Sequence, residues 1–313
     1  MKVFLGVDIG SISINFVLID REKRILFSSY VRGDGSPVKT VQDGLAEVSR
    51  WMREHPEKEL AGVCTTGSGR ELIGRLLGAD LIKNEISAHA RASIEVHPEV
   101  QTVFEIGGQD SKVIIIRDGA VVDFAMNLVC AAGTGSFLDA QARRLNLSIH
   151  DFGKIAAESE TPTHIAGRCS VFAESDMIHK QQIGFAQKDI AMGLCMALAR
   201  NFIGNVCRGK ELKPPFLFQG GVSANPGIGK AFETLLGCRL FIPEHHMIMG
   251  AYGAAILVSE TPVLQTKFRG YGISAHEIES RAFTCKDCSN HCEIIEIRDN
   301  GEVIGRSGSR CGK

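Results

Sequence analysis

The sequence predicts an α/β protein made of two similar halves and a small cysteine-rich segment. A strand–turn–strand pattern occurs at residues 3–27 and again at 101–126. After each copy the apolar spacing changes from that of strands to that of helices. These observations predict a first half over 1–100, a second half over 101–260 and a metal-binding appendage over 261–313.

Composition supports a folded protein and excludes several partner classes. The chain has 313 residues, 44% of them apolar, and a net charge of −1, so it is long enough for two domains and an appendage. This charge predicts no attraction to nucleic acid or to anionic membranes. An acidic residue at position 8 comes too early for a signal peptide. There is no apolar run of roughly 18 residues that would predict a membrane span. Ten cysteines without a secretory signal predict reduced thiols or metal ligation and a cytoplasmic location.

The repeat has one acidic residue and one glycine in equivalent places. Strands are predicted over 4–11, 14–20 and 25–27 in the first copy and over 103–110, 113–119 and 121–124 in the second. Asp8 ends the first strand of one copy and Gly10 follows two residues later; Glu105 and Gly107 have the same spacing. Short apolar β-branched runs bounded by Gly and Asp are typical of hairpins.

Helices and further strands follow each meander. Helices are predicted around 41–52, 137–145, 190–206, 226–236 and 248–259, and strands over 60–65, 216–219 and 239–242. Each half therefore combines a three-stranded meander with alternating helices and strands. Two such halves around a cleft predict mixed sheets.

The repeated turns predict a nucleotide site. Tight glycine turns expose backbone N–H groups that bind phosphate oxygens. The candidate phosphate ligands are Gly10, Ser11, Ser13, Gly107, Gly108 and Gln109. We expect the carboxylates of Asp8 and Glu105 to hold Mg²⁺ through water or to orient the attacking water.

A third glycine-rich segment ends a predicted strand and begins a helix. It contains Gly220, Gly221 and Asn225 and is placed to contact the ribose or the purine. A Walker A loop is excluded, because Gly229-Lys230 is followed by Ala231.

Two cysteines, Cys130 and Cys169, each precede a predicted helix. A helix N-terminus favours an anion, and a thiolate-bound iron–sulfur cluster is one. Two thiolates are half of the four that a [4Fe–4S] cluster takes. A two-fold homodimer would supply the other two. The alternative is a small buried apolar side chain, as we expect for Cys64, Cys195, Cys207 and Cys238.

Four more cysteines mark the C-terminal segment. Cys285, Cys288 and Cys292 are separated by two and three residues, and Cys311 follows after a hairpin predicted at Asn300-Gly301. Zn²⁺ and a second iron–sulfur cluster both fit this spacing. A thiol-rich tail without metal is the remaining alternative.

The chain resembles the BadF/BadG/BcrA/BcrD-type ATPases, which activate 2-hydroxyacyl-CoA dehydratases and benzoyl-CoA reductases. The resemblance covers roughly residues 1–258. It is carried by residues 106–110 (Ile-Gly-Gly-Gln-Asp), 127–139 around Cys130, 171–175 after Cys169, and 250–255.

The resemblance implies a duplicated RNase H-like fold of the actin, Hsp70 and sugar-kinase superfamily, with ATP bound in a central cleft. It implies a homodimer with one [4Fe–4S] cluster held by Cys130 and Cys169. It further implies ATP-driven transfer of one electron from a ferredoxin or flavodoxin to a partner dehydratase or reductase. By the same resemblance Asp110 joins Asp8 and Glu105 in catalysis, and Gly133 and Thr134 bind ATP.

Three positions depart from the family pattern. Ile12 and Asn15 stand where the family has a threonine and a lysine, and Glu105 stands where it has an aspartate. We therefore expect nucleotide binding with slow hydrolysis. The first turn looks like that of the long fused activators, so a fragment or split version of one is a further expectation. Two other functions stay open, a sugar or metabolite kinase and a nucleotide-gated scaffold that does not hydrolyse ATP.

Overall fold

In the part of the chain that the structure describes, two five-stranded sheets and one three-stranded sheet form the framework. The computed structural model describes residues 1–33, 35–127, 131–166 and 169–311. Within it the chain divides into two units, the first made of Met1–Ala92 with Ile248–Lys313 and the second of Ser93–Met247.

The strands and helices are numbered in chain order. The strands are β1 Lys2–Ile9, β2 Ser13–Ile19, β3 Ile25–Arg32, β4 Glu59–Gly67, β5 Leu81–Ile82, β6 Thr102–Ile106, β7 Ser111–Arg117, β8 Ala120–Asn127, β9 Phe216–Gln219, β10 Leu240–Phe241, β11 Ile278–Thr284, β12 Glu293–Asp299 and β13 Glu302–Ser307. The helices are α1 Pro37–Glu54, α2 Arg70–Leu77, α3 Glu85–Val96, α4 Gly135–Arg144, α5 Ile149–Ala157, α6 Ser170–Gln182, α7 Gln187–Asn201, α8 Pro226–Leu236 and α9 Met249–Ser259. In the described part of the chain, none of the helices combines the length and the apolar character that a membrane span requires.

The two large sheets have the same topology, which confirms the predicted duplication. Their strand orders are β3-β2-β1-β4-β5 and β8-β7-β6-β9-β10. In each sheet the first three strands form an antiparallel meander, and the other two pair in parallel on the far side of the first strand. The central strands β1 and β6 are almost entirely buried, as is typical of strands that are covered on both faces.

Each unit has its own apolar core. In the first unit Phe16 of β2 is fully buried, and the ring lies against Gly44 of α1, where a larger residue would not fit. In the second unit the ring of Phe104 stacks on those of Phe216 and Phe232, with centroids 5.5 and 5.3 Å apart. These cores fix the strand ends that carry the candidate site.

Helix α9 belongs to the first unit, although the sequence analysis grouped residues 101–260 together. Gly6 of β1 contacts the backbone of Ala251 and Ala255, and Gly62 of β4 lies against Val258. The absence of a Cβ at Gly6 permits this close approach. The second unit therefore lies between two sequence segments of the first.

The C-terminal segment also folds onto the first unit instead of forming a separate appendage. The carboxylate of Asp80 accepts hydrogen bonds from the Thr266 hydroxyl and the Lys267 N–H, both at 2.7 Å. The amide of Gln42 donates to the carbonyls of Ile273 and His276 at 3.0 and 2.9 Å.

The end of the chain is a three-stranded antiparallel sheet. β12 pairs with β11 and β13, and the predicted Asn300-Gly301 turn is confirmed, with φ of 49° and 85°. Ile297 is fully buried in the first unit's core, and Gly305 of β13 lies against Arg75 of α2. The sheet is therefore anchored on the first unit.

Candidate functional site

The turn between β6 and β7 holds the predicted phosphate-binding residues of the second unit. The N–H of Gly107 donates to the carbonyl of Asp110 at 3.0 Å, which closes a tight turn over Gly108 and Gln109. The two strands are paired up to this point. The sheet therefore presents Gly108 and Gln109 at its end.

Beside this turn lies a buried ion cluster. The ammonium of Lys112 is 2.7 Å from the Oε2 of Glu105 and 3.0 Å from the Oδ2 of Asp110. Lys112 is only 2% exposed and Glu105 is 5% exposed. Burial raises the pKa of Glu105, against the pull of the Lys112 charge. Two of the three predicted catalytic carboxylates thus share a cation that the sequence analysis did not identify.

Lys112 occupies the same place in the second copy as Asn15 in the first. Asp8 pairs with Asn15 across β1 and β2, and Glu105 pairs with Lys112 across β6 and β7. The duplicated sequence carried this signal, since both residues follow their carboxylate by seven positions. An ammonium is therefore present in the second unit at the position where the first unit has an amide.

Glycine backbones enclose the carboxylates of Glu105 and Asp110. A Cβ placed on Gly220 would lie 2.6 Å from the Oε1 of Glu105, and one on Gly107 would lie 2.9 Å from the Oδ1 of Asp110. Gly220 also has a φ of 89°, which disfavours other residues. The predicted third glycine segment thus contacts the acidic end of β6 directly.

The start of α4 joins the same cluster. The N–H groups of Gly135 and Ser136 donate to the carbonyls of Gly107 and Gly108 at 2.9 and 2.8 Å. The predicted ATP ligand Thr134 is fully buried and hydrogen-bonded to the hydroxyl of Ser136 at 3.0 Å.

Three glycine-rich segments therefore converge within the second unit. Gly135 lies against Val222, because a Cβ on Gly135 would be 3.0 Å from that side chain. The predicted residues Gly107, Gly133 and Gly220 lie on these segments. Backbone contact, and not sequence proximity, brings them together.

Asn225, a predicted ATP ligand, lies at the junction between the glycine segment and α8. Its Oδ1 accepts from the N–H of Ile228 at 3.2 Å and caps α8, and the residue is 6% exposed. This hydrogen bond satisfies one of the N–H groups at the start of α8. The structure thus uses Asn225 to begin the helix after the glycine segment.

His246 is a neighbour of the glycine segment. Its Nδ1 is 2.7 Å from the hydroxyl of Ser223, and its carbonyl accepts from the N–H of Gly220 at 2.9 Å. Burial lowers the pKa of His246 below its usual value. His246 therefore supports the conformation of Gly220.

The turn of the first unit has a similar closure. The N–H of Gly10 donates to the carbonyl of Ser13 at 3.0 Å. The carboxylate of Asp8 lies between Gly67, which has a φ of 86°, and Gly250 at the start of α9. The helix N-terminus favours a carboxylate there.

A cavity of about 130 Å³ opens beside the first-unit turn. Its polar lining includes Ser11, Ser13, Ser36, Thr40 and Ser68. The predicted ligands Gly10, Ser11 and Ser13 thus line this cavity.

Cys169 lies at a helix N-terminus, as predicted. It is the residue immediately before α6, in extended conformation and partly exposed, and its side chain makes no capping hydrogen bond. Cys130 lies outside the described residues.

The remaining cysteines fall into two groups. Cys64, Cys195 and Cys207 are buried, and burial raises the pKa of Cys64 and of Cys207 to about 12, so these three pack as predicted. Cys238 is partly buried and packs against the core of the second unit. The C-terminal cysteines range from buried to exposed: Cys285 is intermediate, Cys288 exposed, Cys292 buried and Cys311 exposed. As the side chains stand, no three His, Cys, Asp or Glu residues of the described chain converge on a metal position.

Comparison with known proteins places this site in a family. The profile of the BadF/BadG/BcrA/BcrD ATPase family matches residues 5–258. The chain belongs to the BadF/BadG/BcrA/BcrD ATPase family.

Several members of the family are similar over most of their length. The (R)-2-hydroxyglutaryl-CoA dehydratase activating ATPase of Acidaminococcus fermentans is 34% identical over 256 residues, which cover 80% of this chain and 95% of that protein. The activator of lactoyl-CoA dehydratase of Anaerotignum propionicum is 32% identical, with coverage of 82% and 97%.

A solved structure of the family has the same fold. The activator of the 2-hydroxyisocaproyl-CoA dehydratase from Clostridium difficile, with bound ADPNP, superimposes with a TM-score of 0.74 and 30% identity. The match covers 82% of this chain and 94% of that one. Apart from the first residues of β1, both five-stranded sheets lie inside the family match, whereas the three-stranded sheet follows its last residue, 258.

Proposed function

We propose that this ATPase-family protein is an activator that uses ATP hydrolysis to drive a single low-potential electron into a partner enzyme. The partner is a 2-hydroxyacyl-CoA dehydratase or a related benzoyl-CoA reductase. The observation that carries the proposal is the family match over residues 5–258, which includes the acidic glycine turns of both units. Relatives that share 30–34% of their residues bear the names of dehydratase activators.

In the second unit the backbone of the 107–109 turn binds phosphate oxygens of ATP. Glu105 and Asp110 hold Mg²⁺, directly or through water, since carboxylates are the ligands that this ion prefers. Lys112 keeps these two carboxylates in place before the ion binds, because it contacts both. Gly133, Thr134, Gly220 and Gly221 complete the enclosure of the nucleotide.

In the first unit the turn with Gly10, Ser11 and Ser13 contributes hydrogen-bond donors to the nucleotide. Asp8 orients water or Mg²⁺ from its place beside α9. Asn15 supplies a neutral side chain where a lysine would add positive charge. We therefore expect slower hydrolysis than a lysine at this position would give.

The electron carrier is a [4Fe–4S] cluster held by Cys130 and Cys169 from each copy of a homodimer. Such a cluster supplies one-electron chemistry at low potential. Cys169 fits this role, because its partly exposed thiol stands at the positive end of α6. Val171 and Phe172 on the first turn are 66% and 65% exposed, and a second copy would cover them. The donor to the cluster is a ferredoxin or a flavodoxin.

The proposal is tested on protein purified without oxygen. Iron, acid-labile sulfide, molecular mass and the EPR spectrum after reduction are compared for the natural chain, Cys169→Ser and the matched control Cys238→Ser. We expect Cys169→Ser to contain about four iron atoms per dimer fewer than the natural chain, and the control to contain as many as the natural chain. A colourless monomer, or equal iron content in all three proteins, would refute the proposed cluster.

ATP turnover separates the proposal from its alternatives. Hydrolysis without any small acceptor supports the activator. Binding without hydrolysis, even with the partner enzyme present, would favour a nucleotide-gated scaffold, for which Ile12 and Asn15 give a reason. Turnover that needs a hydroxylated acceptor, in a protein without iron, would favour a kinase.

A further inference from the structure

The three-stranded sheet brings four cysteines to one of its ends. β11 ends at Thr284 opposite Glu293, the first residue of β12. Cys285 and Cys292 are the next residues outward, and the N–H of Cys285 donates to the carbonyl of Cys292 at 2.8 Å. Opposed residues of an antiparallel pair have Cβ atoms about 4.5–5.5 Å apart on the same face. These two thiols therefore start from neighbouring positions.

Cys288 lies in the loop that joins this pair. The loop runs from 286 to 291 and is closed by a hydrogen bond from the His291 N–H to the Cys288 carbonyl at 3.4 Å. Cys288 is exposed, whereas Cys292 is 8% exposed. The loop thus carries a third thiol over the end of the sheet, accessible from solvent.

The third strand returns the chain to the same place. Ser307 at the end of β13 pairs with Ile295, and Gly308 lies against the carbonyl of Glu293. Cys311 is three residues beyond Gly308, and three residues span at most about 10 Å. Cys311 therefore lies on the side of the sheet where the 285–292 loop is. Its thiol is exposed and is 3.5 Å from the hydroxyl of Ser309.

From this arrangement we infer that the end of the three-stranded sheet is a four-thiolate metal site, separate from the site of the ATPase units. Its ligands are Cys285, Cys288, Cys292 and Cys311. A tetrahedral zinc–thiolate centre has Zn–S bonds of about 2.3 Å, hence sulfur atoms about 3.8 Å apart. The described side chains do not yet converge on one metal position, so the site forms when metal binding orders the loop and residues 308–311, as happens when metal binding is coupled to local folding.

The anchoring of the sheet favours a built site over a tail without structure. Glu296 of β12 is 4% exposed and accepts from Arg298 and Arg306, both at 2.9 Å. Ile297 is fully buried in the core of the first unit. The cysteines therefore extend from strands that are already held. This sheet follows the last residue of the family match, so the site is an addition to the family's ATPase units.

The test is metal analysis of the whole chain, purified without oxygen. The variants replace cysteines at exposed positions, where the fold does not depend on the thiol. Zinc, iron and acid-labile sulfide are measured in the natural chain, Cys288→Ser, Cys311→Ser and the control Cys238→Ser. We expect Cys288→Ser and Cys311→Ser each to lose about one zinc, or about four iron atoms with their sulfide, per chain. The first result assigns zinc and the second a cluster, and the control keeps the metal.

Cys169→Ser separates this site from the proposed dimer cluster, since it leaves the C-terminal metal in place whether or not that cluster exists. Equal metal content in the natural chain, Cys288→Ser and Cys311→Ser would overturn the inference. So would a disulfide between Cys285 and Cys292 in protein prepared without oxygen, as measured by thiol titration and mass spectrometry.

Discussion

Replacement of Lys112 by methionine tests whether the buried ion cluster controls the candidate site. The ammonium is 2% exposed and contacts Glu105 at 2.7 Å. Its removal leaves a buried carboxylate without its cation, which costs about 3–5 kcal/mol in comparable pairs. We therefore expect the free energy of unfolding of Lys112→Met to fall by about that amount at pH 8, a factor of roughly 10²–10³ or more in the equilibrium constant.

The pH dependence has a definite sign. Burial already raises the pKa of Glu105, and without the Lys112 charge the pKa rises further. A carboxyl with a raised pKa in the folded state binds more protons there than in the unfolded state. The unfolding free energy of the variant is thus highest at low pH, and it falls as the pH rises above the unfolded pKa and through the folded one.

The assay is urea unfolding at pH 5, 6.5 and 8, followed by circular dichroism. Glu105→Gln combined with Lys112→Met removes both charges and recovers much of the loss, because no buried charge remains unpaired. Lys39→Met, which breaks an exposed pair with Asp43, is the control and leaves stability unchanged. A loss below about 1 kcal/mol at pH 8, with no dependence on pH, would refute this reasoning.

Three further predictions concern the glycine segment and its supports. Gly220→Ala forces a side chain onto Glu105 at a φ of 89° and should cost about 1–3 kcal/mol of unfolding free energy and most ATPase activity. Gly221→Ala, with open space around it, should retain the unfolding free energy, and an equal loss of stability in the two variants contradicts the steric argument. Asn225→Ala removes the α8 cap and should lower the free energy of unfolding by about 1 kcal/mol, with little change in the KM for ATP. A large rise in KM with an unchanged free energy of unfolding would show that the residue binds nucleotide instead. Because the pKa of His246 is lowered in the folded state, the free energy of unfolding should fall as the pH falls through the folded-state pKa. An NMR titration of His246 measures that pKa, and a pKa at or above the ordinary value for histidine contradicts the prediction.

Much of the fold could be predicted, because the two copies repeat a local pattern. The acidic residue and glycine at the end of the first strand, Asp8 with Gly10 and Glu105 with Gly107, mark the same turn in both sheets. Alternating apolar runs between glycines then place the meander strands. The helices at 226–236 and 248–259 were predicted within one residue of their observed ends.

The contacts that depend on distant residues could not be predicted. Lys112 is a polar residue at the start of an apolar strand. The repeat makes it the equivalent of Asn15, but only the pairing of β6 with β7 reveals its contact with Glu105. Asn225 has a side chain typical of both caps and ligands, and only the structure shows that its Oδ1 accepts from the α8 backbone. The attachment of residues 261–311 depends on Gln42 and Asp80, which are far away in sequence.

The divided first unit has a consequence for synthesis on the ribosome. β1 and β4 emerge early, but α9, whose small residues lie against Gly6 and Gly62, emerges only after the whole second unit has been translated. At about 5–20 residues per second this delay is roughly 8–30 s. During that interval an apolar face of the nascent sheet lacks its cover, and a chaperone that binds extended apolar chains would find its target there.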